Sequence, residues 1–296
     1  MKKGVKLVFG TAVISGISIF VNSLFIININ PSIFTFAKNV LVSIFLFSII
    51  LLLNKFKELK SLSIKNWFYL ILIGLVGGSI PFLLFFKGLQ LSTGPTSALI
   101  HKTIFIFSTV LAVIFLKEKI NYRVISAACV LLIGNFLLLK FNVFSFKTGE
   151  LFILIAVLFW AIENIISKYV LKDISFNIVV LGRMAFGSLF ILIFLLITNK
   201  AHLLTSIDLS KLFIILIASL LLLLYVLTYY KGLKTINVST ATSILSLGSP
   251  ITFLLNFVFL GQLISLEQFI GVILIIISVA AIAYYSEKRY VTISTA

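Results

Sequence analysis

Ten runs of mostly apolar residues divide this chain, at roughly 5–27, 32–53, 67–86, 94–116, 122–141, 149–169, 176–198, 210–230, 239–260 and 266–285. A helix rises 1.5 Å per residue, so about 20 apolar residues cross the hydrocarbon core of a bilayer. Each run therefore predicts a spanning helix. The polar interruptions are short, the longest being 54–66, and they leave no room for a soluble domain. The pattern predicts an all-α integral membrane protein with ten transmembrane helices.

The pattern also repeats. Phe86-Lys87-Gly88-Leu89 is followed by a polar turn and an apolar stretch ending Phe115-Leu116. Tyr230-Lys231-Gly232-Leu233 is followed in the same way by a stretch ending Phe259-Leu260. The copies superpose without a gap, Thr96 on Thr240, Ile100 on Ile244, Leu111 on Leu255 and Ile120 on Ile264. A fixed offset held across two hydrophobic segments marks an internal duplication. The first two helices of each half pair at an offset one residue longer, which sets Ser15-Gly16 on Trp160-Ala161 and Lys38 on Arg183. The chain thus reads as five-helix repeats at 1–143 and 144–296.

Composition agrees with a lipid solvent. Hydrophobic residues make up 61% of the chain, charged residues only 11%, and the mean hydropathy is +1.25; soluble domains carry about 25% charge. The single cysteine, Cys129, excludes an intramolecular disulfide framework and a Cys-based metal site. Lys2, Lys3 and Lys6 before an apolar run superficially resemble a secretory signal. The run lacks a small-x-small cleavage site and takes part in the repeat, so it reads as a retained helix.

The formal net charge of +16 is distributed by side. Counted on alternate loops, sixteen Lys and Arg fall on the amino-terminal side and five on the other. The positive-inside rule places both termini in the cytoplasm. Basicity is then topology, with attraction to anionic inner-leaflet lipid as a by-product, and nucleic acid is not an expected partner. An odd number of helices per half means that the second repeat enters the membrane inverted. The loops match: Lys117-Glu118-Lys119 lies inside, while its counterpart Gly261-Gln262-Leu263 lies outside without charge. Inverted repeats recur in secondary transporters, with the substrate site near the midplane.

On these landmarks the chain resembles the drug/metabolite transporter superfamily, in its EamA-like branch. The matching residues are Trp160, Arg183, Pro250 and Glu118. The departures are Lys117 for the usual Gly before that Glu, Ile106 opposite Pro250, and Lys38 where Arg is commoner. The resemblance covers nearly the whole chain. It implies export or exchange of small polar metabolites, often amino acids.

Ionisable side chains inside a membrane are costly and mark functional candidates. Lys38, Lys102, Glu163 and Arg183, with His101, lie well within helices. Glu163 and Arg183 sit at similar depth on consecutive helices, which predicts an ion pair. It is either a lock between the two helices, or a gate in which Glu163 carries a coupling proton. Lys38 has no such partner, since Ser18 matches Glu163, and it either snorkels outward or meets cargo. Lys102 is deeper. His101 beside it reads as a neutral, hydrogen-bonded side chain or as a second cavity contact. Three cations against one carboxylate call for an anionic group on the cargo, a carboxylate or phosphate. The amino end of the fourth helix, Gly94-Pro95, adds a partial positive charge at the outer vestibule.

Asn22, Asn164, Tyr225 and Ser246 are further candidates to line the substrate cavity, with Ser97, Thr103, Tyr229 and Thr242. Pro81 and Pro250 predict kinks, and Gly74-x-x-x-Gly78 predicts close helix packing.

No P-loop is present, which excludes ATP as the direct energy source. HExxH and paired-aspartate motifs are absent, and only eight acids exist, nearly all in loops, which argues against an intramembrane enzyme. No cofactor or metal is expected. A cationic interior would also suit an anion-permeable channel, but inverted duplication with bent helices fits alternating access better. The expectation is a secondary transporter in a prokaryotic plasma membrane. Its partners are the lipid bilayer, a small-molecule substrate, and a coupling proton or counter-substrate.

Overall fold

The computed structural model describes residues 3–25, 29–92, 94–139 and 147–294; Lys2 and Lys140 lie outside them, as do the side chains of Pro95, Lys288 and Arg289. All the spans are helical. The first two are α1 (Lys3–Phe25) and α2 (Pro31–Leu52). The 54–66 connection is not featureless, because it holds a short helix, α3 (Phe56–Lys60).

The third span is built from α4 (Ile64–Ile73), a π turn (Gly74–Ser79) and α5 (Ile80–Leu91). At 28 residues it is longer than the apolar run implies. The fourth span is split into α6 (Gly94–Lys102) and α7 (Ile104–Leu116), and the fifth is α8 (Tyr122–Leu138). The second half runs through α9 (Thr148–Val170), α10 (Phe176–Ile197) and α11 (Leu209–Leu233). Its ninth span is α12 (Val238–Ile244), a 3-10 turn (Leu245–Leu247) and α13 (Gly248–Leu260), and α14 (Leu266–Ser294) closes the chain.

Among the described residues, nine spans have the length and apolarity to cross a bilayer unaided, and α8 adds a tenth of 17 residues. That is the short end of the spanning range. The ten form two five-helix repeats. Five crossings return the chain to the opposite side, so the repeats are inverted.

The packing carries the same duplication. α5 packs on α9 as α11 packs on α1, α7 on α9 as α13 on α1, and α8 pairs with α14 across the pseudo-twofold. Gly88 and Gly232 show why the repeat keeps glycine there. A Cβ on Gly88 would stand 2.8 Å from the Gly149 carbonyl and 2.5 Å from Ile153, and one on Gly232 would stand 3.0 Å from the Gly4 carbonyl and 2.5 Å from Val8. Gly4 and Val8 are the repeat mates of Gly149 and Ile153, at the longer offset found for the first helices.

The helix ends are duplicated too. Left-handed backbone occurs among the described residues at Asn54 (φ 54°) and Asn199 (φ 52°), which follow the second spans, and at Lys117 (φ 54°) and Gly261 (φ 64°), which cap the fourth spans. Such residues close helices by satisfying their last carbonyls. The Lys117 amide bonds the Ala112 carbonyl, and that of Gly261 bonds Asn256.

Candidate functional site

The site is organised by the π turn. A π turn shifts the register of helix hydrogen bonds and leaves carbonyls without their usual partners, and three neighbouring helices supply donors. The Gly77 carbonyl accepts from Trp160 Nε1 on α9 at 3.2 Å and from Arg183 Nη2 on α10 at 3.1 Å. The Gly78 carbonyl accepts from Asn39 Nδ2 on α2 at 3.1 Å. Ser79 Oγ donates back to the Leu75 carbonyl at 2.9 Å. Glycine is what lets α10 come this close, because a Cβ on Gly78 would lie 2.3 Å from the Arg183 carbonyl oxygen. The expected Gly74/Gly78 packing face is therefore real, and it meets Phe186 and Gly187.

Glu163 is 2% exposed and Arg183 is 7% exposed. The direct ion pair expected from their matched depth is not formed: their charged atoms stay more than 4.0 Å apart. Gly77 stands between them, and a Cβ there would lie 2.2 Å from Glu163 Cγ and 3.2 Å from Arg183 Nε. Each charge has found other partners. Glu163 Oε1 accepts from the hydroxyls of Ser167 and Tyr230. The guanidinium bonds the Gly77 carbonyl and lies 5.8 Å from the centroid of the Tyr230 ring, a cation–π distance. Its Nε has no hydrogen-bond acceptor among the described residues.

Asn164 and Tyr225 belong to this cluster rather than to an open lining. Asn164 donates to the Trp160 carbonyl at 3.0 Å and accepts from the Tyr229 hydroxyl at 2.6 Å; Tyr225 stacks on Tyr229 with centroids 5.8 Å apart. His101 joins from α6 by its ring alone, 5.2 Å from Phe85 and 5.3 Å from Trp160.

The remaining candidates stand apart. Lys38 is buried, with its ammonium 4.8 Å from the centroid of Phe34. Lys102 is half-buried and ends α6. Neither lysine makes a hydrogen bond or ion pair among the described residues. Asn22 donates weakly to Ser18 at 3.4 Å, and its Oδ1 has no partner among the described residues. Ser246 is buried inside the 3-10 turn.

Lys102 and Ser246 occupy matching places in the two repeats, and the α-helix tightens locally at both. α6 stops at Lys102, with Thr103 Oγ1 folded back onto the Ile100 carbonyl at 2.6 Å, and α12 gives way at Leu245–Leu247. The prolines fit this account. Pro81 and Pro250 sit in the first turns of α5 and α13, where a missing amide costs nothing, each just after a π or 3-10 turn.

Glu118 ties the halves together. Its carboxylate accepts from the Val238 amide at 2.6 Å, the Ser239 amide at 3.3 Å and the Ser239 hydroxyl at 2.7 Å, at the start of α12. On the same side, Glu58 accepts from the Ser175 amide at 2.8 Å, and Lys168 donates to the carbonyls of Leu233 and Ile236 at 2.7 Å each.

Gly77 and Tyr230 are the members of this cluster that sequence reasoning missed. Both had a signal. Tandem Gly77-Gly78 in mid-helix is weak for helix formation, and Tyr230 adds a hydroxyl where its repeat mate is Phe86.

Known proteins agree with this architecture. Residues 2–140 and 147–284 each match the EamA-like transporter family. A protein of Clostridium kluyveri described as an uncharacterized transporter is 27% identical over 274 residues, 84% of each chain. A Synechocystis protein described in the same way is 26% identical over 140 residues, 44% of this chain and 40% of its own. A crystal structure superposes with a TM-score of 0.79 at 16% identity, covering 97% of this chain and 99% of that one, a likeness of fold.

Proposed function

Because the chain belongs to the EamA-like transporter family, we propose that it is a secondary active transporter. It moves small polar solutes bearing a carboxylate, amino acids among them, across a prokaryotic plasma membrane by alternating access. Both termini face the cytoplasm, and the halves 1–143 and 144–296 move against each other.

One observation carries the reading. The α-helix of the fourth span is interrupted at the same place in each half, and the interruption in the first half carries Lys102, a cation with no counter-ion among the described residues. Irregular helix turns at a repeat interface free carbonyls and suit solute sites in carriers of inverted-repeat architecture, and a cation there selects an anionic group. Lys102 holds that group and Lys38 is a second contact, while Ser246 offers a hydroxyl from the other half. The Glu163–Tyr230–Arg183 cluster acts as a gate between the third, sixth, seventh and eighth spans, with Glu163 as the group able to carry a coupling proton.

The test is a thermal-stability screen of detergent-purified protein against carboxylates, phosphates, amines and neutral solutes. A ligand that binds only the folded state raises the melting temperature in proportion to its saturation. Stabilisation by carboxylates is expected. Stabilisation by amines alone would overturn the assignment.

A further inference from the structure

We infer that the groove between α2, α4 and α10 is a binding site for one acyl chain of an anionic phospholipid, whose headgroup is held by the lysines of residues 54–66. The inference is independent of the transport reading and needs only that the chain lies in a bilayer.

The groove has a volume of about 400 Å³. Leu70, Ile178 and Gly182 form its back wall, and Phe47 and Ile44 form an exposed rim, so it opens sideways, toward lipid. Two serines line it, and neither has a hydroxyl proton to spare: Ser43 donates to the Asn39 carbonyl at 2.7 Å and Ser48 to the Ile44 carbonyl at 3.0 Å. A groove whose polar groups are already satisfied suits a hydrocarbon chain, not a polar solute.

Charge at its mouth selects the headgroup. α3 lies across that end, contributing Leu59 to the groove while Lys57 and Lys60 on the same short helix are exposed. Lys65 is exposed at the start of α4, two residues before Trp67, which lines the groove. The single acid of the connection, Glu58, is occupied by the Ser175 amide at 2.8 Å, which also pins α3 against the start of α10. The mouth therefore presents three exposed lysines, Lys57, Lys60 and Lys65, beside an apolar slot, with Glu58 turned toward the Ser175 amide. An anionic phospholipid matches both, and a zwitterionic one matches only the slot.

Trp67 provides the readout. The chain has two tryptophans, and a Trp67→Phe protein supplies the blank for Trp160. The protein is reconstituted into phosphatidylcholine vesicles with rising fractions of phosphatidylglycerol brominated in its acyl chains. Quenching of Trp67 is expected to saturate at a low mole fraction, reflecting a preference of roughly tenfold or more. Brominated phosphatidylcholine is expected to quench only in proportion to its fraction. The exposed triple variant Lys57→Gln/Lys60→Gln/Lys65→Gln should turn the saturating curve into a proportional one. Equal quenching by the two brominated lipids in the unmodified protein, or a saturating curve that survives in the triple variant, overturns the inference.

Discussion

The Tyr230 hydroxyl donates to the Glu163 carboxylate while the same ring lies against the Arg183 guanidinium. A phenol thus bridges two charges that do not touch, and the three side chains should behave as one unit. Glu163→Gln strands a buried guanidinium and should destabilise more than the double neutralisation Glu163→Gln/Arg183→Gln. Breaking one partner of a buried pair costs about 3–5 kcal/mol in soluble proteins, an upper bound here. Tyr230→Phe removes one bond to a charged group, about 1.5–3 kcal/mol. Thermal melts of the cycle decide, and additive losses would show the residues uncoupled.

Lys102→Met keeps the length of the side chain and removes its charge. Affinity for a stabilising carboxylate should fall at least tenfold, about 1.4 kcal/mol, with the melting temperature of the empty protein preserved. Lys38→Met should have the smaller effect. An unchanged affinity in a well-folded Lys102→Met protein would pass the role to Lys38.

Glycine substitutions should rank by what a Cβ would meet. Gly78→Ala drives a methyl into the Arg183 carbonyl, which has no way to yield, and should cost about 1–3 kcal/mol. Gly10→Ala meets nothing within 4 Å and should be neutral or stabilising by up to about 1 kcal/mol. Melting temperatures of the two variants that fail to separate would count against the tight α10 approach.

How much of this was legible beforehand depends on the scale of the feature. Ten spans, the duplication and its two offsets follow from apolar run lengths and repeat pairing, because lipid forces each crossing to be a helix and a fixed period survives in sequence. The neighbourhood of Glu163 and Arg183 also followed, from depth alone. Their lack of contact did not. It depends on the π turn placing Gly77 between them and on Tyr230 arriving from the eighth span, and neither is encoded in the local pattern around Glu163 or Arg183. Asn164 looked like a cavity residue because a polar side chain in a span has no visible partner until Tyr229 is placed.

Lys117 stands at φ 54° where its repeat mate is Gly261. A left-handed L-residue costs roughly 1–2 kcal/mol, partly offset by the greater freedom of glycine in the unfolded chain. Lys117→Gly should therefore stabilise by up to about 1 kcal/mol. A thermal melt checks it, with Gly261→Lys expected to shift in the opposite direction.

Orientation can be read directly. Single cysteines at Lys60 and Thr205, both exposed, in a Cys129→Ser background should label from opposite faces of sealed vesicles. Labelling of both from one face would remove the inverted arrangement and the two-sided transport cycle with it.

The Glu118 clamp on α12 has no charged mirror image, since Gln262 stands at the equivalent place in the other half. In a duplicated carrier with identical halves, the two end conformations would be energetically degenerate and the empty protein would divide its time evenly. The Glu118 tie is worth about 1.5–3 kcal/mol, so it weights the conformation that keeps it by one to two orders of magnitude relative to a chain without it. In the alternating-access cycle proposed above, Glu118 is thus a weight on the side where the empty carrier waits for cargo, set against the Glu150–Ser92 tie at the opposite ends of the spans.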